Sequence, residues 1–449
     1  MYISSIKIKN LRCFEEVELH LQYTGREQEN PPRLPNINLL LGDNGAGKSS
    51  VLRAIALVAL SPIMPQSGLV PYRLVRRKPG SALLREAEIS ATVLLHAQDI
   101  GVKNVQSTPT AQMGISVMRQ GDYEGLSTHN LTITTDEGGI WERMYDDESP
   151  AFLVLGYGAA RRVEDAERVD VNARRKVRLL RYERVAGLFE SHVSLMPLAT
   201  WLPGMRKANP GRYKQVVNLI NRLLPEGASF AGDYENGEYL FEVNGVQAPF
   251  GALSDGYRAY IGWIADLLYH VCTGAPRGAK LVDNYGIVLV DEVDLHLHPE
   301  WQRSVVSTVS RALPNLQFVF TTHSPIVAGS LNRENIFVME TTSDSASVVK
   351  QYDERIYGLN AEQVLLSPYF NLRTTRAEPF ADELKDLSVK AGQGDLKAAL
   401  AFMEKLSGQE PDDATNGTTA ATIPAEDNGR QGAQPRRRTG SAAKAKRKG

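Results

Sequence analysis

The chain has 449 residues, 42% hydrophobic and 23% charged, which is two or three ordinary domains' worth with enough apolar material for a core. Lys plus Arg number 51 against 52 Asp plus Glu, and a net charge of -1 argues against a uniformly basic nucleic-acid coat and against an acidic solvating protein. Cys13 and Cys272 lie too far apart in sequence for a zinc or redox pair and exclude a disulfide scaffold. No apolar run approaches the roughly 20 residues that cross a bilayer, and Met1 leads straight into a strand pattern, so a soluble cytoplasmic protein is expected.

Ile6 and Ile8, then Val17, Leu19 and Leu21, alternate with polar residues, as half-buried strands do. Residues 24–36 are a polar, Pro-rich connection, and residues 37–41 form a nearly continuous apolar run, the mark of a buried central strand. A helix follows from Ser49, with Leu52, Ile55, Ala56 and Ala59 on one face. Residues 66–155 read as short strands with long loops, named at 89–95, 131–134 and 152–155. In residues 165–225, Arg174, Arg175, Lys176, Arg178, Arg181 and Arg184 mark a helical insertion with one basic face. Tyr257, Ile261, Ile264, Leu268 and Val271 then give a helix with a sharp apolar stripe.

Two further buried strands, 287–290 and 316–320, flank an amphipathic helix over 301–313. This alternation predicts parallel pairing and an α/β architecture. Residues 346–407 read as a helical C-terminal region. From residue 408 onward Ile423 is the only large aliphatic side chain, so the tail is expected to be disordered. Its last twenty residues hold eight basic side chains and no acid, leaving a body of -9, so the near-neutral total is a cancellation. The expected divisions are therefore 1–164, 165–225, 226–345, 346–407 and 408–449.

Four motifs carry chemistry. Gly42-Asp43-Asn44-Gly45-Ala46-Gly47-Lys48-Ser49 fits G-x-x-x-x-G-K-[ST] between a strand and a helix, with Ser50 in the helix's first turn. Its glycines allow backbone N–H groups to wrap phosphates, Lys48 meets the terminal oxygens, and Ser49 ligates Mg²⁺. The apolar strand at 286–290 ends in Asp291-Glu292, which places Asp291 to hold a metal's water shell and Glu292 to polarise the attacking water; alone, two acids after a strand are also a common surface turn. Ser254 and Gly256 open the striped helix and form either an anion site or a plain N-cap. His323, ending the third strand in Thr321-Thr322-His323-Ser324-Pro325, stands on the ligand side of a parallel sheet.

These motifs in this order resemble the heads of ABC-type ATPases, P-loop NTPases, and more closely the RecF/SMC/OLD group. The opening Ile6-Lys7-Ile8-Lys9-Asn10-Leu11-Arg12-Cys13-Phe14 and the run Asp291-Glu292-Val293-Asp294-Leu295-His296-Leu297-His298-Pro299 support this, over roughly residues 1–345. Within the group, Gly156-Tyr157-Gly158-Ala159-Ala160-Arg161-Arg162 and Leu253-Ser254-Asp255-Gly256-Tyr257-Arg258 are similar to the Septu (PtuA) and retron-associated ATPases of bacterial defence. The resemblance implies an ABC-type head with a helical insertion and a helical C-terminal extension. It implies ATP and Mg²⁺ as cofactors, and a homodimer or higher oligomer that sandwiches ATP between protomers. Lys48, Ser49, Asp291, Glu292 and His323 would act in cis and Ser254 and Gly256 in trans, with Arg12 reaching the phosphates. Residues 294–298 would form the loop that crosses between sites. Asp255 and Tyr257 depart from the usual signature, and no glutamine is assignable to the metal-contacting loop, whose place falls near Tyr157-Gly158.

The function implied is a defence ATPase that senses a trigger and controls a partner effector. No acidic cluster for two-metal cleavage follows His323, so cleavage is expected of a nuclease partner, of HNH type on the Septu-like reading. The alternative is a RecF-like repair or chromosome-maintenance ATPase acting directly on DNA. A transporter subunit is disfavoured by the missing glutamine and the long insertion, and a non-hydrolysing scaffold by the intact Glu292. DNA or RNA contact is expected, if anywhere, along the basic face from Arg174 to Arg184, Arg181 included, and at the basic tail; a solvated face and a solubilising tail are the plainer readings. His296 and His298 lack a third ligand for a metal. No membrane contact is expected.

Overall fold

The computed structural model describes residues 1–77, 84–101, 108–133, 139–162, 179–276, 278–343 and 345–407. They fall into two compact units that divide after Thr375. The alternating N-terminal residues form the antiparallel strands β1 (Tyr2–Lys9) and β2 (Glu16–His20), with Ile6 opposite Leu19 and Ile8 opposite Val17, all buried. β3 (Ile37–Gly42) is buried along its apolar run and feeds α1 (Lys48–Ala59). After β4 (Glu86–Leu94) and the short α2 (Ala97–Ile100), β5 (Thr110–Gln120) and β6 (Tyr123–Ile133) form a hairpin. The five-stranded sheet runs β2-β1-β4-β5-β6. Sequence patterning finds β4 but only the end of β6 and nothing of β5. The sequence of β6, YEGLSTHNLTI, holds few apolar residues because an edge strand buries little, so period two is faint there.

β7 (Val154–Tyr157) is followed by α3 (Leu180–Glu183), α4 (Leu198–Ala208) and α5 (Pro210–Leu223). A small antiparallel sheet comprises β8 (Ala228–Ser229), β9 (Tyr234–Glu235), β10 (Glu238–Val243) and β11 (Val246–Pro249), with β10 paired to the other three. The chain then alternates: α6 (Asp255–Thr273), β12 (Gly286–Val290), α7 (Pro299–Ala312), β13 (Leu316–Thr321), α8 (Pro325–Gly329) and β14 (Ile336–Thr341). β15 (Ser347–Lys350) and α9 (Ala361–Leu366) end the first unit. In the second unit α10 (Glu378–Gly392) and α11 (Leu396–Ser407) are joined by the Lys405–Glu383 pair at 2.6 Å.

The six-stranded sheet, β15-β14-β3-β13-β12-β7, is parallel except at β15, as the strand and helix alternation predicts. α1 lies between the two large sheets. Val51, Leu52 and Ile55 share one core with Ile6 and Ile89 of the antiparallel sheet and with Leu40, Leu289 and Val319 of the parallel sheet. A helix apolar on several faces is what such a position requires, and truncating one of these aliphatic side chains costs about 2–5 kcal/mol. Gln317, buried on β13, ties the sheets together: its amide donates to the Ile3 carbonyl at 2.8 Å and its oxygen accepts the Ile3 N–H at 2.9 Å. The opposite face of the parallel sheet packs in a second core with α4, α5, α6 and α7.

The basic face expected along residues 174–184 is corrected where it is described. Arg181 is 1% exposed and donates to the carbonyls of Arg143, Met144, Asp146, Ser149 and Ala151. Arg184 is buried as well. A guanidinium offers five donors, enough to saturate a loop's inward carbonyls, and here it serves the interior. Arg174, Arg175, Lys176 and Arg178 lie outside the described residues, as does the tail from 408 onward.

Candidate functional site

The register of the parallel sheet sets four segments side by side at its C-terminal edge. Tyr157 pairs with Val290, Val290 with Phe320, and Thr321 with Leu40, so the ends of β7, β12, β13 and β3 converge there. From β3 the chain turns through Gly42 (φ 138°), Gly45 (φ 84°) and Gly47 (φ 106°) into α1. Two of these glycines also answer to space. A Cβ on Gly42 would lie 2.3 Å from the Met339 carbonyl oxygen, and one on Gly47 would lie 2.5 Å from both Cys13 Sγ and Phe14 Cζ. No acid occupies the first turn of α1, so its positive end is left for an external anion. The Lys48 ammonium folds back over the loop and donates to the Gly42 and Asp43 carbonyls at 2.7 and 3.0 Å. Burial lowers its pKa, and Asp291, Glu292 and Asp43 oppose that shift.

The acidic turn after β12 is fixed by its neighbour strand. Thr321 Oγ1 donates to Asp291 Oδ1 at 2.6 Å and accepts the Glu292 N–H at 2.7 Å, while the Val293 N–H bonds the Thr321 carbonyl. Glu292 adopts the left-handed conformation, φ 50°. From the far side, Arg161 Nη1 and Nη2 donate to the carbonyls of Asp291 and Glu292 at 2.8 and 2.9 Å.

Between these segments lies a cavity of about 290 Å³ lined by Asn44, Gly45, Gly47, Lys48, Ser49, Ser50, Asp291, Glu292 and His323, together with Arg12, Cys13 and Arg53. Arg12 Nε is buried without a hydrogen-bond partner, and Arg53 Nε donates to the Leu188 carbonyl at 2.7 Å. Burial lowers the pKa of both guanidiniums, and for Arg53 the charge of Arg12 adds to this. Three cations therefore face two carboxylates. That balance suits a polyphosphate, whose negative charge relieves the repulsion between Arg12 and Arg53.

Sequence reading missed Arg53, Arg161 and Thr321 as participants. Arg53 was findable: it lies four residues after Ser49, hence on the same face of α1. Ser254 and Gly256 are not part of this cavity. They stand at the N-terminus of α6, Ser254 exposed, and a Cβ on Gly256 would lie 2.9 Å from the His296 carbonyl oxygen. Tyr257 packs edge-on against Trp301 at 4.4 Å. His298 Nδ1 accepts the Glu300 N–H at the start of α7, and no cluster of three metal-ligating side chains occurs among the described residues.

An "AAA ATPase domain" family model matches residues 1–70, and an AAA domain model carrying the AbiEii toxin, type IV toxin–antitoxin label matches residues 145–328. Septu protein PtuA of Bacillus mycoides (strain KBAB4) is 26% identical over 386 residues, 86% of this chain and 46% of that protein. The chain thus spans about half the length of that relative. "Retron Ec83 probable ATPase" of Escherichia coli is 23% identical over 406 residues, 75% of this chain and 71% of that protein. By these matches the chain resembles ATPases of the RecF/SMC/OLD type. DNA replication and repair protein RecF of Idiomarina loihiensis is similar over a shorter stretch, 28% identical over 130 residues, 28% of this chain and 30% of RecF. Both family models fall on the segments that build the phosphate-loop cavity: the first holds Arg12, the phosphate loop and Arg53, the second Asp291, Glu292 and His323, together with Arg161 behind the acidic turn. No helix among the described residues is long and apolar enough to cross a membrane.

Proposed function

We propose that the ATPase binds ATP with Mg²⁺ in the phosphate-loop cavity and hydrolyses it with Glu292 as the water-orienting base. The carrying observation is the convergence of Lys48, Ser49, Asp291, Glu292 and His323, drawn from three strand ends, on one cavity. The loop N–H groups and the N-terminus of α1 bind the phosphates, and Lys48, already desolvated, exchanges loop carbonyls for phosphate oxygens. Ser49 and Asp291 are hard oxygen donors on the same cavity wall, and Thr321 fixes one carboxylate oxygen of Asp291. That donor set fits Mg²⁺, which is commonly held by few protein oxygens plus phosphate. When bound, the ion neutralises charge developing on the phosphate oxygens. Glu292 accepts the proton of the attacking water, His323 at the rim donates to the terminal phosphate, and Arg12 and Arg53 balance its charge.

Ser254 and Gly256 lie outside the cavity and Ser254 is exposed, which supports a role in trans on the nucleotide of a second protomer. On this reading ATP joins two cytoplasmic protomers, and hydrolysis separates them. Likeness to PtuA and to a retron ATPase supports the further reading, a regulator of a partner nuclease in anti-phage defence. The RecF match favours a second reading, direct action on DNA. Sedimentation of Glu292→Gln with and without ATP tests dimerisation: an ATP-dependent dimer lost in Ser254→Arg supports it, and a monomer in both conditions refutes it. Co-purification with the products of neighbouring genes separates the two readings. A bound nuclease supports the regulator, whereas hydrolysis stimulated by DNA alone supports direct action.

A further inference from the structure

Arg161 joins the catalytic turn from a segment far away in sequence. It follows β7 by four residues, and the chain reaches that point through Gly158, where a Cβ would lie 2.2 Å from the Gly187 carbonyl oxygen. Its two terminal nitrogens take the carbonyls of successive residues, Asp291 and Glu292. The remaining backbone groups of that turn are also committed: the Asp291 N–H to the Tyr157 carbonyl and the Glu292 N–H to Thr321. Every peptide plane that sets the direction of the Glu292 side chain is therefore gripped, and Arg161 supplies the grip on the carbonyl side.

A left-handed conformation at a glutamate is unfavourable in isolation and persists only where its surroundings impose it. Burial draws the Arg161 pKa down to about 10, so the group stays cationic at neutral pH, and Asp291, Asp294 and Glu292 favour its charge. Arg161 also borders a second cavity of about 620 Å³, with Met196, Leu198 and Tyr239 on its wall.

We infer that Arg161 is a positioning residue for hydrolysis, which aims the Glu292 carboxylate by holding the carbonyls of Asp291 and Glu292 and touches neither nucleotide nor water itself. This rests on the reading of Glu292 as the base. A double-mutant cycle of Arg161→Ala and Glu292→Gln, read as steady-state phosphate release and as equilibrium binding of ATP, tests it. Arg161→Ala lowers kcat about 30-fold or more with ATP affinity within about 3-fold of wild type, and Arg161→Lys recovers part of the loss. The double variant hydrolyses no more slowly than Glu292→Gln alone. A multiplicative loss in the double variant, or a loss of ATP affinity as large as the loss of kcat, overturns the inference. Should the alanine protein fail to fold, Arg161→Lys, which keeps charge but not the fork, is run through the same cycle: a smaller fall in kcat with ATP affinity retained and no further loss in the double variant supports the inference, and a multiplicative loss or unchanged kcat overturns it. Wild-type rates in Glu292→Gln refute the reading of Glu292 instead; slow Glu292→Gln with a multiplicative double variant refutes only the role of Arg161.

Discussion

The Thr321 hydroxyl donates to Asp291 at 2.6 Å, and the same oxygen accepts the backbone N–H of Glu292. One side chain thereby orients the proposed metal ligand and anchors the proposed base. Thr321→Val keeps the shape and removes both bonds, leaving buried partners unsatisfied at a cost of about 1–3 kcal/mol. Phosphate release at saturating ATP is expected to fall about tenfold, with a higher Mg²⁺ requirement. Thr321→Ser restores both. Equal Mg²⁺ dependence in the valine variant and wild type would sever Thr321 from the metal site.

Gly45 and Gly47 separate two kinds of constraint. Both have positive φ, which costs a residue with a Cβ about 1–2 kcal/mol. Only Gly47 also lacks room, beside Cys13 and Phe14. Gly45→Ala is thus expected to lower the thermal midpoint slightly. Gly47→Ala lowers it further and abolishes binding of a fluorescent ATP analogue, because relieving the clash displaces the start of α1. Equal effects of the two substitutions would show that backbone conformation alone governs the loop.

The phosphate loop and the acidic strand were legible in the sequence because each is a short contiguous strand and turn whose chemistry is spelled by its own residues. Arg161 was not: the turn it grips lies 130 positions away, and only the pairing of β7 with β12 brings them together. Arg181 was misread for a related reason. Charges at helical spacing signify a solvated face unless a loop from elsewhere presents carbonyls to them, and residues 143–151 do so here. β5 was legible but overlooked: Ala111, Met113, Ile115 and Val117 are buried and alternate with Gln112, Gly114 and Ser116, a period-two pattern that the small Ala111 and Gly114 make faint.

Arg181→Met removes the guanidinium while retaining its length, and the loss of a buried charge bonded to several carbonyls is expected to cost about 3–5 kcal/mol. Urea unfolding measures this. Charge reversal at Arg174, Arg175 and Arg178 is expected to weaken DNA or RNA binding and flatten its salt dependence. A stable Arg181→Met protein with weakened nucleic-acid binding would return Arg181 to the surface.

Two largely buried histidines set a pH dependence. Burial lowers the pKa of His96 to about 3, with a smaller contribution from the Met1 ammonium. Burial first and Arg184 second hold His270 well below the usual imidazole value. Both are neutral in the fold, whereas the unfolded chain takes up their protons below about pH 6.5. The unfolded state then binds more protons, so stability rises with pH through this window and is lost as pH falls below about 6.5. Stability is therefore expected to fall between pH 7.5 and 5.5, and His270→Gln to remove part of that pH-dependent loss. A thermal midpoint that is unchanged between these pH values contradicts the assignment.

Phosphate release by wild type and by Glu292→Gln, at saturating ATP and Mg²⁺ and with ATP affinity measured alongside, tests the assignment of the catalytic site most directly. The account predicts a fall of at least about 100-fold in release with affinity retained within about threefold, as expected for loss of a general base. Equal rates in the two proteins would contradict it.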